Sequence, residues 1–248
     1  MTTPPTREPI LNVPPIVVGM LAALALIHAV RAFLPRSADI ELLLLFAFIP
    51  ARYDAGILAG AIWPGGVPAD VWTFVSYALL HGDLMHLGFN AIWLLAFGTP
   101  LARRFGPLRF LAFCAVTAAA GALAHLATHF GQMVPMVGAS ATISGAMAAA
   151  MRFAFQRGGP LRFGGDDDAY RVPALPLRDA LRDTRVLAFL AVWFGLNLLF
   201  GLGSVSIIGN EQPVAWQAHV GGFVAGLMLF GLFDPIKPHS PDAPSIAA

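Results

Sequence analysis

Charged side chains are scarce in this sequence: Asp, Glu, Lys and Arg make up 12% of its 248 residues, whereas 57% of the residues are hydrophobic. Soluble domains contain about 25% charged residues, so this composition argues against a water-soluble globule and places the chain in a lipid bilayer. Cysteine is almost absent, and a lone Cys114 excludes an intrachain disulfide and a cysteine metal cluster. Acidic residues are missing from the central region, since none lies between Asp83 and Asp166.

Long uncharged stretches fill much of the chain. A membrane-spanning helix needs about 20 apolar residues, and the stretch 110–151 is long enough for two, with a break at Gly131 and Pro135. The sequence therefore predicts six spans, at roughly 16–34, 85–103, 109–129, 137–153, 186–203 and 215–233.

Two further apolar pieces, 42–51 and 71–80, are too short to cross a bilayer. They are predicted to be interfacial or re-entrant helices within the first loop. The expected fold class is an all-α membrane protein with six transmembrane helices and a long, partly membrane-embedded first loop.

The distribution of basic residues predicts the orientation. With a cytoplasmic N-terminus, twelve of the fifteen Lys and Arg residues lie inside and three lie outside, which satisfies the positive-inside rule. We therefore expect a cytoplasmic N-terminal segment (1–15), a membrane domain (16–233) with a solvated cytoplasmic loop at about 156–185, and a disordered cytoplasmic tail (234–248). Fourteen arginines against one lysine suggest a bacterial origin, and hence an inner-membrane location.

Polar residues that remain inside apolar spans are the most informative positions, because the bilayer penalises them. His86 and Asn90 are four residues apart in the second predicted span and share one helical face. Two neutral hydrogen-bond donors on one face are suited to stabilising a developing oxyanion in a low-dielectric site.

A second group is the glycine-rich loop that leads into the fourth predicted span. Ser140 lies where this helix begins, beside backbone N–H groups that can receive negative charge, and Ser144 is one turn deeper on the same face. By position alone either serine is a candidate nucleophile, and both could instead serve only helix packing.

The third group lies in the sixth predicted span, where His219, Gly222 and Gly226 share a face. The glycines remove bulk where the imidazole must meet another helix, and the small face of the fourth span is a matching partner. Placing His219 against Ser140 would create a serine nucleophile with a histidine base.

Together these residues resemble the rhomboid intramembrane serine proteases. The shared patterns are H-x4-H-x3-N from His81, G-A-S ending at Ser140, and A-H-x-G-G-x-x-x-G around His219, within residues 70–233. The resemblance implies that Ser140 is the nucleophile and His219 its base. It further implies that His86 and Asn90 help the Ser140 N–H bind the oxyanion, while His81, Gly138, Gly222 and Gly226 provide structural support.

The sequence also departs from the family pattern. Ala141 follows the serine where many rhomboids have glycine, and its methyl group is expected to crowd the contact with the sixth span. Ser144 replaces an aromatic residue that stacks on the histidine in some members, and Ala102 replaces an acidic residue. With no acid in the central region, the sequence supplies only a Ser–His dyad.

The implied function is hydrolysis of single-span membrane proteins within the bilayer, without cofactor, metal or nucleic-acid partner. Two other hypotheses are a catalytically inactive relative that binds membrane helices and a small metal-ion carrier. The carrier hypothesis rests on five histidines: His81, His86, His125, His129 and His219. His125 and His129 share a helix face but have no carboxylate or cysteine beside them.

Overall fold

The computed structural model describes residues 12–58, 63–160, 167–201 and 214–236. Within these ranges the chain is helical, and the single β-type pairing is an antiparallel bridge between Phe48 and Met136. The α-helices are α1 (Pro15–Ala32), α2 (Arg36–Phe46), α3 (Ala55–Leu58), α4 (Gly66–Ser76), α5 (Leu84–Trp93), α6 (Thr99–Phe105), α7 (Pro107–His129), α8 (Ser140–Ala150), α9 (Leu177–Ala180), α10 (Thr184–Gly201) and α11 (Trp216–Phe233). The predicted all-α class is confirmed.

Among the residues that the structure describes, four helical segments are long and apolar enough to cross a membrane. Three of them are α1, α7 and α11, with 18, 23 and 18 residues. The fourth runs from Leu84 to Phe105, where a π-helical turn at Leu94–Gly98 joins α5 to α6. These segments coincide with the first, second, third and sixth predicted spans.

Helix α8 is shorter than the predicted fourth span, 137–153. It contains 11 residues, which gives a length of about 16 Å against a hydrocarbon layer of about 30 Å. The helix starts only at Ser140 because Gly138 adopts a φ of +118°, outside the helical region. Helix α10 overlaps the predicted fifth span, 186–203, so the count of six spans stays a prediction.

Small residues place α8 at the centre of the molecule. Every residue from Ala141 to Ala150 is buried, and α8 packs between α7 and α11. A helix that is apolar or small all round can be enclosed by its neighbours on every side. This position brings the N-terminus of α8 against the first turn of α11.

The described part of the first loop contains three short helices, α2, α3 and α4, and two of them overlap the predicted pieces with shifted bounds. Their interfacial or re-entrant placement stays a prediction. Helix α2 covers 36–46 rather than 42–51, and α4 covers 66–76 and continues as a 3-10 turn over 77–79. Side chains of α4 fasten it to the end of α2: Trp72 Nε1 donates to the Leu45 carbonyl and Ser76 Oγ to the Phe46 carbonyl, each at 2.8 Å. Helices α2 and α4 are thereby joined to each other, and α4 packs against α7.

A buried arginine joins α6 to two distant segments. Arg104 forms a bidentate ion pair with Asp234 at 2.9 Å and donates to the carbonyls of Tyr170 and Val172. The loop 156–185 was expected to be solvated, yet Val172 packs against the hydrophobic core. The difference arises because the guanidinium binds backbone carbonyls, which any sequence offers.

Candidate active site

Ser140 is the first residue of α8 and is partly exposed. The chain before it is held by neighbouring segments: Met136 exchanges two backbone hydrogen bonds with Phe48, and the Gly138 N–H donates to the Tyr77 carbonyl at 3.0 Å. The first N–H groups of a helix have no partner within it. The Ser140 hydroxyl therefore has a fixed position beside donors that can receive negative charge.

His219 lies in the first turn of α11 and faces this hydroxyl. Its Nε2 atom is 2.8 Å from Ser140 Oγ, which is hydrogen-bonding distance. A neutral imidazole at this distance can accept the hydroxyl proton as the oxygen attacks a carbonyl. The structure thus brings together the two residues proposed as nucleophile and base.

Glycines allow this approach of α11 to α8. A Cβ atom at Gly222 would overlap the Ala141 carbonyl oxygen, and one at Gly226 would overlap the Gly145 carbonyl oxygen. The two helices therefore touch through their backbones at two levels, one turn apart. The distance between Ser140 and His219 follows from this backbone contact.

The Ala141 methyl group faces Gly121 of α7. A Cβ atom added at Gly121 would lie 2.5 Å from the methyl carbon, so the glycine at 121 provides the room that the methyl group needs. Towards α11 the Ala141 backbone meets Gly222, and the predicted crowding of α11 by the methyl group stays a prediction. Ser144 is 4% exposed on the buried part of α8, and the hydrogen bond of His219 goes to Ser140 instead.

The sequence reasoning missed Asn197. Its Oδ1 atom is 2.6 Å from His219 Nδ1, so the imidazole is hydrogen-bonded at both nitrogens. The signal was available, because Asn197 is the one amide side chain in the predicted fifth span. The same rule that singled out Asn90 in the second span applies to it.

His86 contacts the loop before Ser140. Gly138, with its positive φ, passes so close that a Cβ atom there would lie 2.6 Å from His86 Nε2. Asn90 is 4% exposed and donates through Nδ2 to the His86 carbonyl at 2.8 Å. In the described residues no hydrogen bond joins either side chain to Ser140, so their role in oxyanion binding stays a prediction.

His81 lies at the junction of three segments and is 1% exposed. Its carbonyl accepts from Arg31 at 2.8 Å, its Nε2 accepts from the Ala139 N–H at 3.5 Å, and its ring meets that of His86 edge-on at 5.1 Å. These contacts tie α1, the loop before Ser140 and α5 together. The arrangement is of the kind that a structural role requires, and that role stays a prediction.

Two histidines of the carrier hypothesis, His125 and His129, form a separate pair on α7. His125 and His129 stack on each other with centroids 4.3 Å apart. Over the part of the chain that the structure describes, no group of three or more His, Cys, Asp or Glu side chains is placed to hold a metal ion.

The fold and the site define a class: a helical membrane protein in which two packed helices join a serine to a histidine, the reacting pair of serine hydrolases. The sequence matches the family model of the Rhomboid domain over residues 68–234, which is more than half of the chain. The chain belongs to the rhomboid family.

Named relatives support the protease branch of this family. The Rhomboid protease GlpG of Enterobacter sp. (strain 638) is 25% identical over 190 residues, which cover 75% of this chain and 58% of that protein. The Rhomboid protease GlpG of Yersinia pestis (strain Pestoides F) is 24% identical over 178 residues, with coverages of 71% and 54%. The chain thus spans just over half the length of these relatives.

Proposed function

We propose that this protein is an intramembrane serine endopeptidase that cleaves transmembrane segments of membrane proteins with a Ser140–His219 dyad. The observation that carries the proposal is the 2.8 Å distance between Ser140 Oγ and His219 Nε2 in a helical membrane protein. Membership of the rhomboid family and the protease names of the relatives support the same chemistry.

The proposed reaction has two steps. Ser140 Oγ attacks the scissile carbonyl while His219 Nε2 takes its proton, and the imidazolium then protonates the leaving amine, which gives an acyl-enzyme. Water next loses a proton to His219 and attacks the ester, and the proton returns to Ser140 as the carboxylic acid leaves. Side chains and water suffice, so no cofactor or metal is required.

The oxyanion of each tetrahedral intermediate would be stabilised at the start of α8. The Ser140 N–H is one proposed donor, and His86 and Asn90 on α5 are the others. His86 lies beside Gly138, two residues before the nucleophile, which supports its placement near the developing charge. Asn90 commits one amide proton to the His86 carbonyl and retains a second for a substrate.

We further propose six spans with both termini in the cytoplasm, in a bacterial inner membrane. The fourth span would be the short α8 with its flanking segments, and the fifth would be α10. Because α8 is about half as long as the bilayer core, Ser140 at its N-terminus would lie within the membrane yet open towards the outer face. Water could then reach the partly exposed serine.

The proposed substrates are single-span membrane proteins cut near the outer end of their helix. A peptide bond in an intact helix is hydrogen-bonded and shielded, so several residues must unwind before Ser140 can attack. Small residues at the cut and a nearby glycine or proline would lower the free energy of unwinding.

The test is cleavage in proteoliposomes of a panel of single-span proteins, with the products mapped by mass spectrometry. We expect cuts near the outer end of the helix that disappear in Ser140→Ala. If the purified, folded protein binds the panel and cuts none of it, and a fluorophosphonate does not label Ser140, it is an inactive helix-binding relative. Cuts at the cytoplasmic end would overturn the proposed orientation.

A further inference from the structure

We propose that Asn197 is a positioning residue for the base, so that Ser140, His219 and Asn197 form a hydrogen-bonded triad instead of a dyad. This inference rests on the proposed protease function. Asn197 lies on α10, whereas Ser140 and His219 lie on α8 and α11, so three helices contribute one residue each. The observation that carries the proposal is the 2.6 Å contact between Asn197 Oδ1 and His219 Nδ1.

The orientation of the Asn197 amide follows from its second hydrogen bond. The Nδ2 group donates to the Trp193 carbonyl of its own helix at 2.8 Å. A carbonyl oxygen can only accept, so the nitrogen must face Trp193 and the oxygen must face His219. The acceptor towards the imidazole is thereby fixed, and it requires that Nδ1 carry a proton.

A proton on Nδ1 determines what the other nitrogen can do. In a neutral imidazole with Nδ1–H, Nε2 has a free lone pair and accepts the Ser140 proton. In the opposite tautomer Nε2 would be a donor, and it could not serve as a base. Asn197 therefore selects the reactive tautomer and holds the ring towards Ser140, as the third residue of a triad does.

An amide can fill this position without adding charge. Side-chain triads with asparagine as third member occur among cysteine proteases. In the described part of the chain no carboxylate hydrogen-bonds to His219, and Ser144 stands where some family members carry an aromatic residue that stacks on the histidine. The Asn197 hydrogen bond supplies the orientation that stacking would otherwise give.

A second contact between α10 and α11 allows this role to be separated from helix packing. The rings of Trp193 and Phe223 stack with centroids 4.4 Å apart. This stack is independent of the amide side chain, so replacing Asn197 by leucine, which has similar volume, leaves it in place. The variant then removes the hydrogen bonds of the amide to His219 and to the Trp193 carbonyl, and it keeps the ring stack between the helices.

The neighbours of His219 decide how a pH profile is to be understood. Helix α8 presents Ser140, α10 presents Asn197, and α7 presents alanines to the adjoining Gly221. Within the described ranges, His86 of α5 is the one titratable side chain close enough to influence His219 electrostatically. A carboxylate introduced at 197 would therefore be a new charge beside the imidazole.

The experiment compares Asn197→Leu, Asn197→Asp and the neighbouring lipid-facing control Leu198→Ala, which removes a side chain that is 54% exposed. Cleavage in proteoliposomes gives kcat and KM, and fluorophosphonate labelling gives the reactivity of Ser140 without a substrate. We expect kcat of Asn197→Leu to fall about 10- to 100-fold, by analogy with the loss of a hydrogen-bond partner from a metal-binding histidine. KM should be unchanged, and Leu198→Ala should match the parent.

Asn197→Asp keeps an acceptor for Nδ1–H and should retain most of the rate. Its acid limb in the pH–rate profile should move to higher pH, because a carboxylate favours the protonated imidazole, which cannot act as a base. A side chain at 197 that did not contact the imidazole would leave this limb in place, and a role in helix packing alone would lower the rate of the leucine and aspartate variants equally. If Asn197→Leu does not fold, the profile of Asn197→Asp decides alone.

Three outcomes would overturn the inference. They are a parental kcat in Asn197→Leu, an equal loss of kcat in the leucine and aspartate variants, and an unshifted acid limb in Asn197→Asp. The proposed protease function fails differently, when the parent neither cleaves the panel nor reacts with the fluorophosphonate. If the parent cleaves the panel and Asn197→Leu is unimpaired, only the positioning role of Asn197 is rejected.

Discussion

His219 meets its two neighbouring helices in contrasting ways. Towards α8 the contact is between backbones, where Gly222 and Gly226 leave no space for a side chain. Towards α10 the contact is between side chains, through the Asn197 hydrogen bond and the Trp193–Phe223 stack. Backbone contact leaves no rotamers to choose from, so α8 fixes the distance between nucleophile and base, whereas α10 fixes the orientation of the imidazole.

The largest effect is expected from removing Ser140, the hydrogen-bond partner of His219 on α8. Ser140→Ala should abolish hydrolysis and fluorophosphonate labelling, whereas Ser144→Ala should retain much of both. Of these two serines, Ser140 is the one that hydrogen-bonds to His219. Peptide mapping of the labelled protein identifies the reactive serine. An adduct on Ser144 would show that the assignment of the nucleophile is wrong.

The next largest effect is expected for His86 and Asn90, the proposed oxyanion donors on α5. His86→Ala and Asn90→Ala should each lower kcat by roughly 10- to 1,000-fold, as expected for one oxyanion donor, with a smaller effect on KM. Steady-state kinetics in proteoliposomes measure both constants. A rise in KM at constant kcat would instead assign these residues to ground-state binding.

Adding bulk between α8 and α11 tests the backbone contact itself. Gly222→Ala should reduce the rate about 100-fold, because a shift of about 1 Å at the reacting atoms has an effect of that size. Gly231→Ala on the same helix is the matched control, since its added Cβ would meet nothing within 4 Å. Equal cleavage rates of the two variants would show that α11 can move away from α8 without loss of activity.

The smallest effect is expected from the packing on the α10 side. Trp193→Phe keeps an aromatic ring against Phe223 and keeps the carbonyl that binds Asn197. The stacking energy at risk is about 0.5 to 1.5 kcal/mol, which limits the change in rate to roughly tenfold. The exposed Val192→Ala serves as control. A loss as large as that of Gly222→Ala would mean that α10 constrains the site as strictly as α8.

Residues on the α8 side could be predicted because their signals are local. Ser140 at a helix start, and His219 with glycines three and seven residues later, are patterns within one segment. The short length of α8 could not be predicted from hydropathy, because it depends on the φ of Gly138 and not on an apolar run. The space for the Ala141 methyl group could not be predicted either, because Gly121, which provides it, is distant in sequence.

Residues on the α10 side were harder to predict for a related reason. A single asparagine in an apolar span does not reveal its partner on another helix, and its importance depends on which face of α10 meets His219. The contact of residues 170–172 with α6 could not be predicted for the same reason, because the acceptors that bind Arg104 are the backbone carbonyls of Tyr170 and Val172.

The pairing of Arg104 with Asp234 has a consequence for where the folded unit ends. Both side chains are nearly inaccessible, at 0% and 6%, although Asp234 follows the last residue of α11 and belonged to the predicted tail. A chain shortened to residue 233 would enclose a guanidinium without its counter-ion, a loss of about 3 to 5 kcal/mol. A chain shortened to residue 236 would keep the pair, so the C-terminal boundary of the stable domain falls after the aspartate, not after the membrane helix.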